Sequence, residues 1–206
     1  MKNKTLAKPG SDAGIRRILE AACTAFATRG FDGASLRAIS REAGVLHTAM
    51  LYHFKTKDAL WRAVMSELFD DFNGRIDRRT EEMKDATLDA LARQLIRVFV
   101  HFCAERPELH RIMTIEGLSD TPRLAWLYDN HTKRLFATVD AMKSAADQTV
   151  FDDPARLYYV IVGLAASTFT LAPEYKRLSG RDPFSDEEVE ATASLVERIL
   201  FGPPAS

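Results

Sequence analysis

Three residues at set intervals, Ser40, Gly44 and Met50, carry the chemistry most worth following in this chain. A small residue lets a second helix approach a first one closely. A glycine four positions on can take a left-handed turn, and an apolar residue further along packs the second helix back. That is the geometry of a helix-turn-helix, although such a triplet also arises by chance. Around it stand hydroxyls, imidazoles and cations, Ser35, Arg37, Tyr52, His53 and Lys57. These groups suit holding a phosphate backbone in register rather than breaking bonds. Bond-making chemistry has little else to draw on. His101 and Glu105 are spaced i, i+4 and could share a metal, but there is no Glu-x-x-His pair, no His-Glu-x-x-His, no phosphate loop ending in Gly-Lys-Ser/Thr and no Gly-x-Ser-x-Gly elbow. We therefore expect no catalytic residues, no metal and no cofactor, an all-helical metalloenzyme being the remotest alternative.

The elements that must position these residues belong to an ordinary globular chain of 206 residues, 46% hydrophobic and 28% charged. Its formal charge of −1 hides an asymmetry: the first 60 residues hold ten Lys+Arg against five Asp+Glu, leaving 18 basic and 24 acidic residues beyond them. A small basic module joined to a larger acidic body makes a polyanion partner plausible for the first piece. Two cysteines, Cys23 and Cys103, are too few for a disulfide framework. Met1 to Asp12 is polar and basic without an apolar core, so we expect a cytoplasmic protein with a flexible basic arm over 1–11. The most apolar stretch, Tyr158 to Ala172, is short for a bilayer span and contains Ser167, Thr168 and Thr170, so no membrane partner is expected.

Apolar residues recur at three and four throughout, which predicts an all-α fold of about nine helices. Ile15, Ile18, Leu19, Ala22 and Phe26 share one face of a first helix running from Asp12 to a stop at Gly30. Ser35 stands at the N-cap of a second that buries Leu36, Ile39 and Ala43 until Gly44 breaks it. A third runs from His47 to His53. Thr56 caps a fourth that starts at Lys57 and Asp58 and continues to about Met83. Further helices follow over Ala86–Glu105, Glu108–Glu116, Pro122 to about Ala146, Pro154–Leu171 and Asp186–Phe201. Ala172 to Ser185, with Pro173, Gly180 and Pro183, is expected to be the longest loop.

Phe26-Ala27-Thr28-Arg29-Gly30-Phe31-Asp32 ahead of the turn, and Phe54-Lys55-Thr56-Lys57-Asp58-Ala59-Leu60 behind it, resemble the TetR family of bacterial transcriptional regulators. The likeness is in motif detail over Ile15 to Leu60, and beyond it in length and helical character. It implies a DNA-binding domain over 12–58 and an effector-binding and dimerisation domain over 59–206. It further implies a regulator, by family habit a repressor, that holds a palindromic double-stranded operator as a homodimer. The helix from His47 would enter the major groove, with His47, Thr48 and Tyr52 as candidate readers. Lys57 matches the lysine that opens the family's fourth helix and is the strongest phosphate ligand by this likeness. Two departures stand out. Leu46 replaces the usual Ser or Asn cap of the recognition helix, and Leu51 takes the usual Tyr position, with the aromatic one residue later at Tyr52. Against these roles, Arg37 and Arg41 could be plain solvated surface, and Tyr52 or His53 could pack between helices.

A palindromic operator needs two copies of the reader, hence a dimer interface elsewhere. Leu157, Ile161, Leu164, Ala165 and Thr168, with Val189, Ala193, Val196 and Leu200, form apolar stripes containing small residues on the last two helices. By the resemblance, two such pairs make a four-helix bundle between subunits; the alternative is two ordinary core helices. Phe99, Phe102, Met113, Trp126, Tyr128, Phe136 and Met142 could line a cavity for an apolar or amphipathic small-molecule effector, although such residues at helical spacing are also simply core. His101, His110 and His131 could orient such a ligand. A helical adaptor without operator binding remains the other reading of the whole chain.

Overall fold

The protein, seen in a computed structural model describing residues 12–145 and 152–203, is all-helical over those residues. The expected basic arm over 1–11 lies outside them. Contacts divide the chain into two compact units, one of residues up to 70 together with 111–118, the other of 71–110 together with 119 onward. The division falls inside the fourth helix rather than at residue 58.

In the first unit, α1 (Asp12–Gly33) buries Ile18, Ala22 and Phe26 on one stripe. Its regular path breaks at Gly30, which sits at φ 67° and ψ 176°. Any side chain there would be strained, and a Cβ would also meet Ile115 Cγ2 at 3.4 Å. α2 (Leu36–Glu42) and α3 (His47–His53) are joined through Gly44 at φ 64°. A Cβ added at Gly44 would find nothing within 4 Å, so the glycine is there for its backbone angle alone. Ser40 is buried, its hydroxyl donating to Arg37 O at 3.0 Å, and Met50 is fully buried. The expected triplet therefore plays its expected part. Thr56 accepts from the Ala59 N–H at 3.0 Å and opens α4 (Lys57–Glu82). Along α4, Leu60, Trp61, Val64, Met65, Leu68 and Phe69 are buried, a broad apolar stripe at intervals of three and four.

The second unit is built from α5 (Leu88–Glu105), the start of α6 (Pro107–Glu116, whose residues from 111 on count with the first unit), α7 (Pro122–Leu127), α8 (Lys133–Met142), α9 (Pro154–Thr170), α10 (Ala172–Ser179) and α11 (Asp186–Phe201). Its core joins Ala92, Leu95, Ile96, Val100 and Cys103 of α5 to Leu157, Ile161, Ala165 and Phe169 of α9 and Val189, Ala193, Val196 and Leu200 of α11. Each buried Val, Leu, Ile or Phe side chain of this set contributes about 1.5–3 kcal/mol. α11 packs chiefly on α5. Arg93 of α5 ties that pairing, donating to Phe201 O and Gly202 O at 3.0 Å each. Arg97 is held between Glu197 and Glu190 of α11.

Two stretches differ from the sequence expectation. The single helix expected from Pro122 is interrupted by a π-helical turn over Tyr128–Thr132. The loop expected over 172–185 contains α10: Pro173 cannot continue α9, because it has no N–H, but suits the first turn of a new helix. The chain bends by 77° between the two helices, and α10 stops at Gly180 with φ 71°. Among the described residues, no single helix is long and apolar enough to cross a membrane.

Candidate nucleic-acid interface

The exposed face of α3 starts with its own sequence, His-Thr-Ala-Met-Leu-Tyr-His. Met50 is fully buried and Ala49, Leu51 and His53 are half-buried, which turns Thr48 and Tyr52, one helical turn apart, outward. Tyr52 is 81% exposed, so it does not pack between helices. His53 does take up the packing role in part, lying edge-on to Tyr52 with centroids 5.3 Å apart and tilted against Phe54 at 6.5 Å. His47 is turned partly inward: its Nδ1 is buried with no hydrogen-bond partner, which leaves Nε2 as the nitrogen able to serve a ligand. Leu46 fills the N-cap position with extended φ/ψ of −67° and 137° and, having no polar side-chain atom, makes no cap.

Around this face, Ser35 occupies the N-cap of α2 but makes no side-chain cap bond, so its hydroxyl is left for another partner. Arg37, Arg41 and Lys55 are exposed. Lys55, on the loop between α3 and α4, was not singled out by sequence reasoning, and its signal was only that of a cation beside a helix cap. Arg17 was missed as well. Its Nε donates to Ala43 O at 3.0 Å, closing the C-terminus of α2 from α1, a pairing 26 residues apart in sequence.

Lys57, expected to be the strongest phosphate ligand, donates through its ammonium to Ala34 O at 3.2 Å and Asp32 O at 3.4 Å and stands 4.6 Å from the centroid of the Phe31 ring. It is half-buried and fastens the loop after α1 to the start of α4. Carbonyl oxygens and an aromatic face satisfy a cation much as a phosphate does.

The expected interface residues of the last two helices also need correcting. Leu157, Ile161, Val189, Ala193, Val196 and Leu200 are buried in the core of the second unit itself, with half-buried Leu164 packed against them; Thr168 is half-buried too. The apolar stripes are real, but α5 covers them. What these helices leave outward is a different set, Tyr159 on α9, Leu171 after it, and Leu195 and Ile199 on α11. Of the expected effector-lining residues, Phe99 and Phe102 both lie against Phe72, at 5.4 and 4.9 Å. Phe136 meets Tyr158 at 6.3 Å, and Trp126 lies edge-on to buried His131 at 5.0 Å. Met113 falls in the other compact unit. Burial pushes the Tyr158 hydroxyl up to about 12 and lowers His110 below its usual 6.5.

The supposed metal pair is drawn apart, because His101 Nε2 lies 2.9 Å from Glu190 and Glu105 accepts from Arg75 at 2.7 Å. No group of three or more potential metal ligands occurs among the described residues.

A buried three-helix scaffold with one short helix turned outward defines a helix-turn-helix DNA-binding domain. Residues 18–64 match the family model for bacterial regulatory proteins of the TetR family. The chain is 27% identical over 192 residues to the HTH-type transcriptional regulator RutR of Escherichia coli K12, covering 90% of this chain and 88% of the relative. Among solved structures, AibR in complex with isovaleryl coenzyme A and operator DNA matches with a TM-score of 0.72 at 19% identity, over 93% of this chain and 100% of that one. A TetR-like transcriptional regulator from Rhodococcus sp. RHA1 matches with a TM-score of 0.69 at 16% identity, over 93% and 96%. Residues 18–64 thus carry a DNA-binding domain of the TetR type, and the chain as a whole is similar to HTH-type transcriptional regulators.

Proposed function

We propose that the protein represses transcription by occupying a palindromic operator as a homodimer, and that a small molecule held by the second unit releases it. The observation that carries the reading is the outward face of α3, with Thr48 and Tyr52 presented by a fully buried Met50. His47 Nε2 and Thr48 address base edges, Tyr52, Ser35 and Arg37 the backbone, and His53 and Lys57 act mainly by fixing the reader in place.

Half-sites one helical turn apart require readers about 34–36 Å apart, which one copy cannot supply. Tyr159, Leu171, Leu195 and Ile199, all large and exposed, support a second copy meeting α9 and α11 through these residues rather than through the stripes that face α5. For the effector, the aromatic group of Phe72, Phe99 and Phe102 supplies apolar wall, and Asn73 Oδ1, on the same helix as Phe72, is buried without a hydrogen-bond partner. An unpaired buried acceptor favours a ligand that brings a donor. AibR, a protein of similar fold, is in complex with isovaleryl coenzyme A, which supports an amphipathic ligand for this chain. Ligand acts through differential affinity for two states; a coupling of about 1–3 kcal/mol shifts operator affinity roughly 5- to 150-fold.

The test is selection of bound duplexes from a random DNA library, with Tyr52→Ala as control, together with sedimentation of the free protein. A palindrome recovered by the wild type and lost in the control, from a protein that sediments as a dimer, is the expected result. A monomer selecting only a single half-site defeats the dimer reading, and recovery of nothing above background defeats the operator reading. A ligand bound in calorimetry that leaves operator affinity unchanged defeats the effector reading.

A further inference from the structure

We infer that Leu46 is a base-reading residue, one that recognises the C5-methyl group of a thymine in each half-site. The inference rests on the reading of α3 as the helix that enters the major groove. Two independent observations carry it. The first is exposure: Leu46 presents 55% of its surface to solvent directly ahead of α3, although Leu36, Val45 and Leu51 on the same two-helix unit are at least half covered. An isoleucine- or leucine-sized side chain left outside at the leading end of a reading helix faces the groove floor once that helix docks, because helix-turn-helix readers contact base edges with their N-terminal residues.

The second observation is what α3 lacks. His47 to His53 contains no Arg, Lys, Asn, Gln, Asp or Glu, so none of the side chains that pair bidentately with guanine or adenine is present on it. Its outward groups are a methyl-bearing hydroxyl at Thr48, a phenol at Tyr52 and the one remaining nitrogen of His47. Hydrogen-bond readout is thin, and discrimination must come in good part from apolar contact. Among the four bases only thymine offers an apolar group in the major groove. A Ser or Asn at position 46 would cap the helix; Leu46 gives up that bond and places four side-chain carbons at the same point. The missing cap and the exposed apolar surface are thereby two aspects of a single substitution, each accounted for if the side chain is covered by DNA.

The experiment uses the full chain and the duplex it selects from a random library. Each thymine of that duplex is replaced singly by deoxyuridine, which removes the methyl and keeps every hydrogen bond. Wild-type affinity is expected to fall about three- to five-fold at one position per half-site, the effect of one methyl group taken from water. Leu46→Ala, whose fold is checked by helicity and melting, is expected to bind the thymine and deoxyuridine duplexes equally, with its salt dependence unchanged. Thr48→Ser, which loses a methyl and keeps its hydroxyl, is expected to retain the discrimination at that position. The inference is overturned if deoxyuridine is tolerated at every position, or if Leu46→Ala still discriminates. It is likewise overturned if Thr48→Ser abolishes the discrimination while Leu46→Ala does not. Failure to select any duplex removes the reading of α3 beneath it.

Discussion

Replacing Lys57 by Met asks whether this lysine serves the fold or the DNA, and the two roles give different numbers. In the structure its ammonium has two carbonyl acceptors, Ala34 O and Asp32 O, and the Phe31 ring 4.6 Å away. Hydrogen bonds to a charged group are worth about 1.5–3 kcal/mol each at good geometry. These are long, at 3.2 and 3.4 Å, and the site is only half-buried, so the pair together contributes about 1 kcal/mol. The cation over the ring adds roughly 0.5–1 kcal/mol. Lys57→Met should therefore lower unfolding stability by about 1–2 kcal/mol, well outside the ±0.5 kcal/mol usual for an ordinary surface substitution.

A reporter is built in beside it: Phe31 lies edge-on to fully buried Trp61 with centroids 6.5 Å apart. In a Trp126→Phe background, urea unfolding followed by fluorescence reads Trp61 alone. If Lys57 instead neutralised one phosphate per subunit, stability would hold and the salt slope of operator binding by a dimer would shrink by about 1.8. Unchanged urea midpoint with that loss of slope would refute the fastening role.

Three further outcomes are expected. Tyr159→Glu or Leu195→Glu should leave helicity and melting nearly unchanged and yield a monomer by sedimentation, whereas Ala193→Glu, which places a charge in the core, should unfold the second unit; a folded, dimeric Leu195→Glu protein would count against the revised interface. Burial holds His110 below its ordinary 6.5, so the neutral form is the one the fold favours. Stability should be full above about pH 6.5 and decline as pH falls through the lowered folded value, and His110→Gln should flatten that decline in denaturant titrations at stepped pH. Cys103 is buried with its thiol pushed up by desolvation, and Cys23 is buried too. A thiol-reactive dye should label neither in native buffer and both in denaturant; prompt native labelling would contradict the packing around them.

Much of the first unit was legible in the sequence because its signals are local. Ser40, Gly44 and Met50 have no freedom to mean much else once apolar residues at three and four surround them, and Gly30, Ser35 and Thr56 sit at the helix ends their types favour. Within the second unit, helix existence was legible and partnership was not. α10 was hidden because Pro173 and Gly180 mark the start and stop of a short helix as readily as they mark a loop.

The amino-acid order by itself determined that the chain is helical, that its N-terminal part forms a helix-turn-helix of the TetR type, and which α3 residues could face outward. Periodicity and caps act within a few residues, so no distant contact is needed to read them. Only the tertiary structure decided which partner covers each apolar stripe. Leu157 and Ile161 on α9 and Val196 and Leu200 on α11 have the pattern of a buried face, but periodicity says that a face is buried and not by what; here the cover is α5 of the same chain. Likewise, a lysine next to a helix cap can reach a phosphate or a carbonyl. Lys57 turned to Asp32 and Ala34 because the break at Gly30 brings that loop to the start of α4, a juxtaposition across more than twenty residues that no local signal encodes.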